Sequence, residues 1–223
     1  MSLSGNNPRY TYGVIRNLQL HKVLMRDWTV RVYVQKHNNS SKTDRNVPNL
    51  VMNKIQQLGA KVVYINDNMA SMDPALWRYQ VILDQSINYF IVHDANKRLD
   101  ENLEKITNSW ISANTSSLLG YCHNNKTAPG NPVILELFGA RRDVIQATLL
   151  DTFNKFLATT TATPPDAASS ERRFVTDVIL PLLTANNPGV CDSSANNTAN
   201  QNSTVQTLKY TAARYDQNEL VLV

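Results

Sequence analysis

Residues 88–99 read NYFIVHDANKRL, and the interpretation of the whole chain depends on this stretch. Its first half is apolar enough for a buried strand, whereas its second half carries Asp94, Asn96 and two basic residues. Such polar groups are costly to bury deep in a core. At the carboxyl end of a strand in an open α/β sheet they would lie where these sheets bind ligands. We therefore predict a ligand site at Asp94 and Asn96. The alternative is an ordinary strand-ending turn, in which Asp and Asn are common.

Strand-like and helix-like segments alternate along the rest of the chain. Apolar residues recur at helical spacing between the strands, and Gly59 and Pro181 are predicted to end or kink the helices near them. This alternation predicts an α/β fold, a three-layer α/β/α sandwich around a mostly parallel, Rossmann-like sheet. The predicted strands are 29–34, 60–66, 88–94, 118–123 and 132–140, with a short opening strand before a helix around 14–25.

The length of 223 residues fits one domain, which we place at residues 8–223. Residues 1–7 are predicted to be a disordered or non-native leader. Residues 159–170 and 193–204 lack apolar periodicity and are predicted to be mobile loops. No apolar run approaches the length of a membrane span. A cytoplasmic location is favoured, although a native leader could have been removed.

Charge and cysteine content exclude several classes of protein. Residues 1–110 carry 14 Lys/Arg against 9 Asp/Glu, a surplus of five. This mild excess suits a phosphate-bearing small ligand, but no Lys/Arg cluster or basic helix face is evident in the sequence, so we predict no nucleic-acid partner. The two cysteines, Cys122 and Cys191, form no metal motif and are expected to be reduced.

Asp94 and Asn96 carry side-chain oxygens two positions apart. In an extended chain both side chains would point to the same side, because side chains alternate with a period of two. Oxygen ligands of this kind recruit Mg²⁺ or Mn²⁺, which can bridge a protein to a diphosphate. The chain has no Gly-rich phosphate loop, which argues against the usual nucleotide hydrolases and nicotinamide enzymes.

Several blocks together resemble a family of GT-A-type glycosyltransferases. The block LWRYQVILDQSINYFIVHDANKRL (76–99) is similar to the family's Trp-Arg-Phe, apolar strand and Arg-Asp-Ala-Asp-Ser-Arg-Leu. The opening block of the family is matched by Arg9-Tyr10, Gly13, Asn17 and Trp28, and NPVILELFGARR (131–142) resembles a later block. RRFVTDVILPLL with CDSS, and the final ARYDQNELVLV, follow in the same order.

The resemblance implies a GT-A fold that binds a nucleotide-diphosphate sugar, with a UDP-sugar as the expected ligand, through an Asp-x-Asp metal site. By position, Asp94 would contact the Mn²⁺ or Mg²⁺ ion or the donor ribose, and Asn96 occupies the place of the second aspartate. Arg78 and Arg98 would offset phosphate charge. The base would be bound near the first strand-to-helix turn, by Arg9, Tyr10, Thr11 and Asn17. Trp77 is better explained as core packing.

Three departures from the family pattern predict a weakened metal site. Asn96 is neutral where the family has a carboxylate, and Cys191 replaces a late histidine ligand. Glu136-Leu137 replaces a pair of glycines. Asp192 is a candidate substitute metal ligand, and Glu136 and Asp192 are candidates for a catalytic role.

Three functions remain open from the sequence. The first is a metal-dependent glycosyltransferase with an unidentified acceptor. The second is a catalytically inactive relative that keeps the ligand-binding or partner-binding surface, which the departures at 96, 136 and 191 favour. The third is an interaction module whose Asn-rich loops bind a partner.

Overall fold

The structure, a computed structural model, describes residues 1–36, 46–65, 69–113, 116–124, 133–162 and 170–186. Contacts between Cα atoms divide the chain into two compact units. The described part of the first unit comprises Met1–Gln80 and Asp94–Asn108, and that of the second comprises Val81–His93 and residues from Ser109 onward. The placement of residues 8–223 in a single domain stays a prediction.

The first unit opens with an ordered segment. The backbone N–H of Leu3 donates to the carbonyl of Tyr33 at 2.9 Å, and the N–H of Tyr33 donates to the carbonyl of Met1 at 3.0 Å. These bonds place residues 1–3 beside strand β1 (Arg31–Val34), and Leu3 is 1% exposed. The predicted disorder of this leader is therefore wrong, because an apolar side chain ties it to the core.

Helix α1 (Pro8–Leu24) begins earlier than the sequence analysis predicts. The side chain of Asn7 accepts a hydrogen bond from the N–H of Arg9 at 3.0 Å, and Pro8 occupies the first helical position. Both are strong signals for a helix start. The predicted opening strand is reduced to a single parallel bridge between Ser2 and Tyr33, and Tyr10 and Thr11 lie inside the helix.

A parallel pair of strands and two helices form the rest of the first core. Strand β1 pairs with β2 (Lys61–Tyr64), and helix α2 (Asn49–Gln57) lies between them in the chain. Gly59, with φ of 91°, follows the end of α2, as predicted. The buried cluster comprises Leu3, Val14, Leu18, Val32, Val34, Val47, Ile55 and Ala95.

A 3₁₀ helix (Pro74–Leu83) stands where the sequence predicts an α-helix. Its start is as predicted, because the carboxylate of Asp73 accepts a hydrogen bond from the N–H of Ala75 at 2.9 Å. Trp77 has no exposed surface, and its indole N–H donates to the carbonyl of Met69 at 2.9 Å. This contact confirms the prediction that Trp77 is a core residue.

The second unit contains a three-stranded antiparallel sheet. Strand β5 (Val133–Arg141) lies between β3 (Tyr89–Val92) and β4 (Leu118–Asn124), and it is antiparallel to both. Phe90 and Phe138 stack edge to face on neighbouring strands, with ring centroids 5.7 Å apart. Helix α3 (Glu101–Ala113) precedes β4 in the chain.

Two interrupted helices complete the described part of the second unit. One runs through α4 (Arg142–Val144), a π-helical turn (Ile145–Leu149) and α5 (Leu150–Ala162). The other runs through α6 (Ser170–Phe174), a second π-helical turn (Val175–Ile179) and α7 (Leu180–Asn186). Phe174 packs its ring against Phe153 and Phe156, at centroid distances of 4.9 and 5.1 Å.

Pro181 does not end its helix. It cannot donate a backbone hydrogen bond to the carbonyl of Asp177, which lies inside the second π-helical turn, and the helix continues beyond it to Asn186. The predicted loop at 159–170 is helical up to Ala162 and again from Ser170. The residues between them, and the loop at 193–204, lie outside the described residues.

The structure confirms a mixed α/β protein. In place of one mostly parallel sheet, the described strands form a parallel pair and an antiparallel trio. The order of strands and helices follows from apolar periodicity, whereas the partner of each strand does not, because pairing depends on distant parts of the chain. No helix in the described ranges is long and apolar enough to cross a membrane.

Candidate functional site

The predicted ligand residues lie in a tight turn at residues 94–99, here called the 94–99 turn. The N–H of Lys97 donates to the carbonyl of Asp94 at 3.2 Å. The N–H of Asn96 donates to the Asp94 carboxylate at 3.1 Å. The chain is therefore not extended here, and the expectation that Asp94 and Asn96 point to the same side by strand alternation is wrong. Asp94 instead forms the kind of turn that short acidic side chains stabilise.

Asn17 of α1 holds the 94–99 turn in place. Its side-chain Nδ2 donates to the carbonyls of Ala95 at 3.3 Å and Lys97 at 2.8 Å. Its Oδ1 accepts a hydrogen bond from the N–H of Leu99 at 2.9 Å. The residue has no exposed surface. One buried amide thus satisfies three backbone groups of the turn, which buried polar groups require.

Gly13 lets α1 approach the same turn closely. A Cβ atom at this position would lie 2.2 Å from the carbonyl oxygen of Ala95, far inside any van der Waals contact. Gly13 and Asn17 are four residues apart and therefore lie on one face of the helix. Together they fix the backbone of the 94–99 turn against α1.

Arg78 pairs with the carboxylate of Asp94. The guanidinium lies 3.5 Å from an Asp94 oxygen, and the two side chains are 11% and 30% exposed. The amino group of Met1 lies in the same environment. The pKa of this amine is lowered to about 5, mainly by burial and also by the charge of Arg78, while the charge of Asp94 opposes the shift. Arg78 carries its charge at neutral pH and is a cation that balances Asp94.

The residues predicted to bind the base lie on or within α1. Thr11 is 3% exposed, and its hydroxyl donates to the carbonyl of Asn7 at 3.3 Å. The side chains of Thr11 and Asn17 both bond to backbone groups, and a contact of either residue with a ligand stays a prediction. Tyr10 is half-buried against the first core, and Arg9 is exposed in the first turn of α1. A contact of Arg9 or Tyr10 with a base stays a prediction.

The remaining candidates are only partly described. Asn96 and Arg98 are half-buried in the 94–99 turn. Glu136 lies in β5, and its side chain is outside the described part of the structure. Asp192 and Cys191 lie outside the described residues altogether. Within the described ranges, no three His, Cys, Asp or Glu side chains are close enough to hold a metal ion.

Arg78 and Asp94 can each exchange their ionic partner for a charged ligand. Asp94 offers a part-exposed carboxylate that is balanced by a guanidinium, and Asn96 adds a neutral amide. A phosphate group would compete with Asp94 for Arg78, whose planar fork binds oxyanions in pairs. A divalent cation would compete with Arg78 for Asp94.

Comparison with known proteins assigns neither a family nor a function to the chain. No protein-family model, curated protein or solved structure matches the chain. The candidate site therefore rests on its own geometry and on the sequence blocks described above.

Proposed function

We propose that the protein binds a nucleotide-diphosphate sugar, with a UDP-sugar the first choice, and transfers the glycosyl group to an acceptor. We propose with it that the fold is a three-layer sandwich of GT-A type. The order of the sequence blocks that resemble GT-A-type glycosyltransferases supports it. The part-exposed polar turn that follows β3 in the chain supports it as well.

One observation supports the proposal most strongly, the Arg78–Asp94 pair on a fixed turn. A diphosphate carries charge that a binding protein must balance, and Arg78 provides a guanidinium 3.5 Å from Asp94. Asn17 and Gly13 fix the backbone that carries Asp94, which keeps the cost of ordering the site low when a ligand binds. Arg98, in the same turn, would provide a second positive charge.

Mn²⁺ or Mg²⁺ belongs to the catalytic form of this proposal. Asp94 and Asn96 would offer oxygen ligands, and Asp192 is the candidate third ligand. The metal would stabilise the departing diphosphate. To bind, the ion has to replace Arg78 as the partner of Asp94, so we expect weak metal affinity.

The same pair favours a second candidate function, a ligand-binding relative without catalytic activity. Arg78 already provides a positive charge beside Asp94, and Asn96 contributes none of the negative charge that attracts a divalent ion. In this case the nucleotide binds directly to Arg78, and no metal takes part.

Calorimetric titration with UDP, with Mn²⁺ and with a chelator, separates these possibilities. Affinity that requires Mn²⁺ supports the glycosyltransferase, and equal affinity under both conditions supports the non-catalytic relative. Release of UDP from a panel of UDP-sugars provides the matching activity test. Absence of UDP binding under both conditions contradicts both functions.

Two variants locate the binding. Arg78→Met removes the proposed phosphate partner and should abolish UDP binding, whereas Lys54→Gln removes an equal charge from the exposed surface of α2 and should leave binding unchanged. Equal losses in both variants would show that only general charge matters. Retained folding of Arg78→Met is checked by its circular dichroism spectrum.

A further inference from the structure

Helix α1 presents a basic outer face that points away from the core, and of its residues only Arg9 is also predicted to contact a nucleotide base. Arg9, Tyr12, Arg16, Gln19 and Val23 are all exposed, and they are spaced by three or four residues. At 3.6 residues per turn they fall within a stripe about 80° wide and roughly 21 Å long. Lys22 is exposed beside this stripe. We call these six residues the basic face of α1.

The charge on this face has one sign. Helix α1 contains Arg9, Arg16 and Lys22 and not a single Asp or Glu. No basic helix face is evident in the sequence, because these charges are spread along the chain and only the folded helix brings Arg9, Arg16 and Lys22 to one side. The guanidinium of Arg16 donates to the side chain of Gln19 at 3.2 Å, and both side chains are exposed.

Apolar and aromatic groups are interleaved with the charges. Val23 is 65% exposed and Tyr12 is 50% exposed, although most side chains of this size in α1 turn inward. A phosphodiester backbone gains nothing from an exposed valine. The interface of a bilayer, by contrast, accommodates basic side chains at its headgroups and aliphatic or tyrosine side chains just below them.

We propose that the basic face of α1 docks the protein on the surface of a membrane that contains anionic phospholipids. The helix lies parallel to the surface, with Arg9, Arg16 and Lys22 against the lipid phosphates and Tyr12 and Val23 inserted between headgroups. Attachment is peripheral and reversible, because the apolar area is small and the attraction is electrostatic. It does not depend on nucleotide binding.

Co-sedimentation with vesicles tests the docking. We expect the full chain to bind vesicles of phosphatidylcholine mixed with phosphatidylserine, to bind weakly to phosphatidylcholine alone, and to dissociate as salt is raised. The double variant Arg9→Gln/Arg16→Gln should lower the partition coefficient by about 10- to 25-fold, since each basic residue at such a surface contributes about fivefold. Tyr12→Ser/Val23→Ser should lower it as well.

The matched control removes the same charge elsewhere on the first unit. Lys54→Gln/Lys61→Gln alters two exposed lysines outside α1 and should keep binding within about twofold of the unchanged protein. Equal losses in both double variants would overturn the proposal, as would equal binding to both kinds of vesicle. Tighter binding to duplex RNA or DNA that depends on Arg9 and Arg16 would overturn it in favour of a nucleic-acid surface.

Discussion

The side-chain Nδ2 of Asn17 lies 2.8 Å from the carbonyl oxygen of Lys97, although the two residues are 80 positions apart. This hydrogen bond links the middle of α1 to the turn that carries Asp94. The same amide also reaches Ala95 and Leu99. The backbone of the candidate site is therefore held by a buried side chain.

Replacement of Asn17 should remove this connection and lower the free energy of unfolding. Asn17→Ala leaves three backbone groups of the 94–99 turn without their partner, and we expect a loss of about 3 kcal/mol in the free energy of unfolding. Urea denaturation measures it. A loss below about 1 kcal/mol would show that the turn is held by other contacts.

Asn17→Asp provides a second test through its dependence on pH. A carboxylate accepts from Leu99 but cannot donate to the carbonyls of Ala95 and Lys97, so the charged form is disfavoured and its pKa should rise. Because the folded protein then binds a proton more tightly than the unfolded chain, the variant should gain stability relative to the unchanged protein as pH falls from neutral. Parallel pH profiles of the two proteins would contradict this.

Gly13 should tolerate no side chain. Gly13→Ala places a Cβ atom 2.2 Å from a backbone oxygen that cannot move without disturbing the turn. We expect a net destabilisation of about 1–3 kcal/mol, despite the better helix propensity of alanine. Gln19→Ala on the exposed side of the same helix is the control, with an expected change within about 0.5 kcal/mol. Equal stability of both variants would refute the close approach.

The Arg78–Asp94 pair should show a measurable but modest coupling. Its two atoms lie 3.5 Å apart and both side chains are mostly shielded from solvent. A double-mutant cycle with Arg78→Met and Asp94→Asn should give about 1 kcal/mol of interaction energy. Additive effects of the two substitutions would mean that the ion pair contributes nothing to the site.

His21, in the last turn of α1, should make the stability depend on pH. Burial lowers the pKa of this histidine, and a hydrogen bond with the backbone of Trp28 opposes the shift. In the unfolded chain the pKa of a histidine is about 6.5. His21 is therefore neutral in both states above that pH and costs no stability, whereas the free energy of unfolding decreases as pH drops toward the lower pKa of the folded state. His21→Gln should flatten this part of a pH–stability profile measured by thermal unfolding. An unchanged slope would exclude His21 as the source.

Apolar periodicity predicts most elements of the fold but not the strand partners. Five of the six predicted strands are present, from β1 at Arg31–Val34 to β5 at Val133–Arg141, and the short opening strand is reduced to a single bridge between Ser2 and Tyr33. Strand β3 nevertheless pairs with β5 in antiparallel orientation, which alternating strands and helices do not predict. Pairing depends on contacts between residues that are distant in sequence, and a local pattern contains no information on them.

For the candidate site, too, the sequence indicates the residues but not their contacts. The sequence indicates Asp94 and Asn96 because they end an apolar strand, and it indicates Arg78 and Asn17 only through the resemblance. Neither source shows that Asn17 bonds to the turn itself. The available signal is its spacing of four from Gly13 on an apolar helix face, where a buried amide requires partners.

Asn96→Asp should restore the negative charge that the family has at this position, and should tighten UDP binding in the presence of Mn²⁺.

Diffraction from a crystal soaked with UDP and Mn²⁺ tests the central claim most directly. We predict diphosphate density beside the 94–99 turn, with phosphate oxygens within hydrogen-bond distance of Arg78. An anomalous manganese peak beside Asp94 would assign the catalytic form, and its absence with UDP bound would assign the non-catalytic one. Nucleotide density elsewhere on the protein, with the Arg78–Asp94 pair unchanged, would contradict the account.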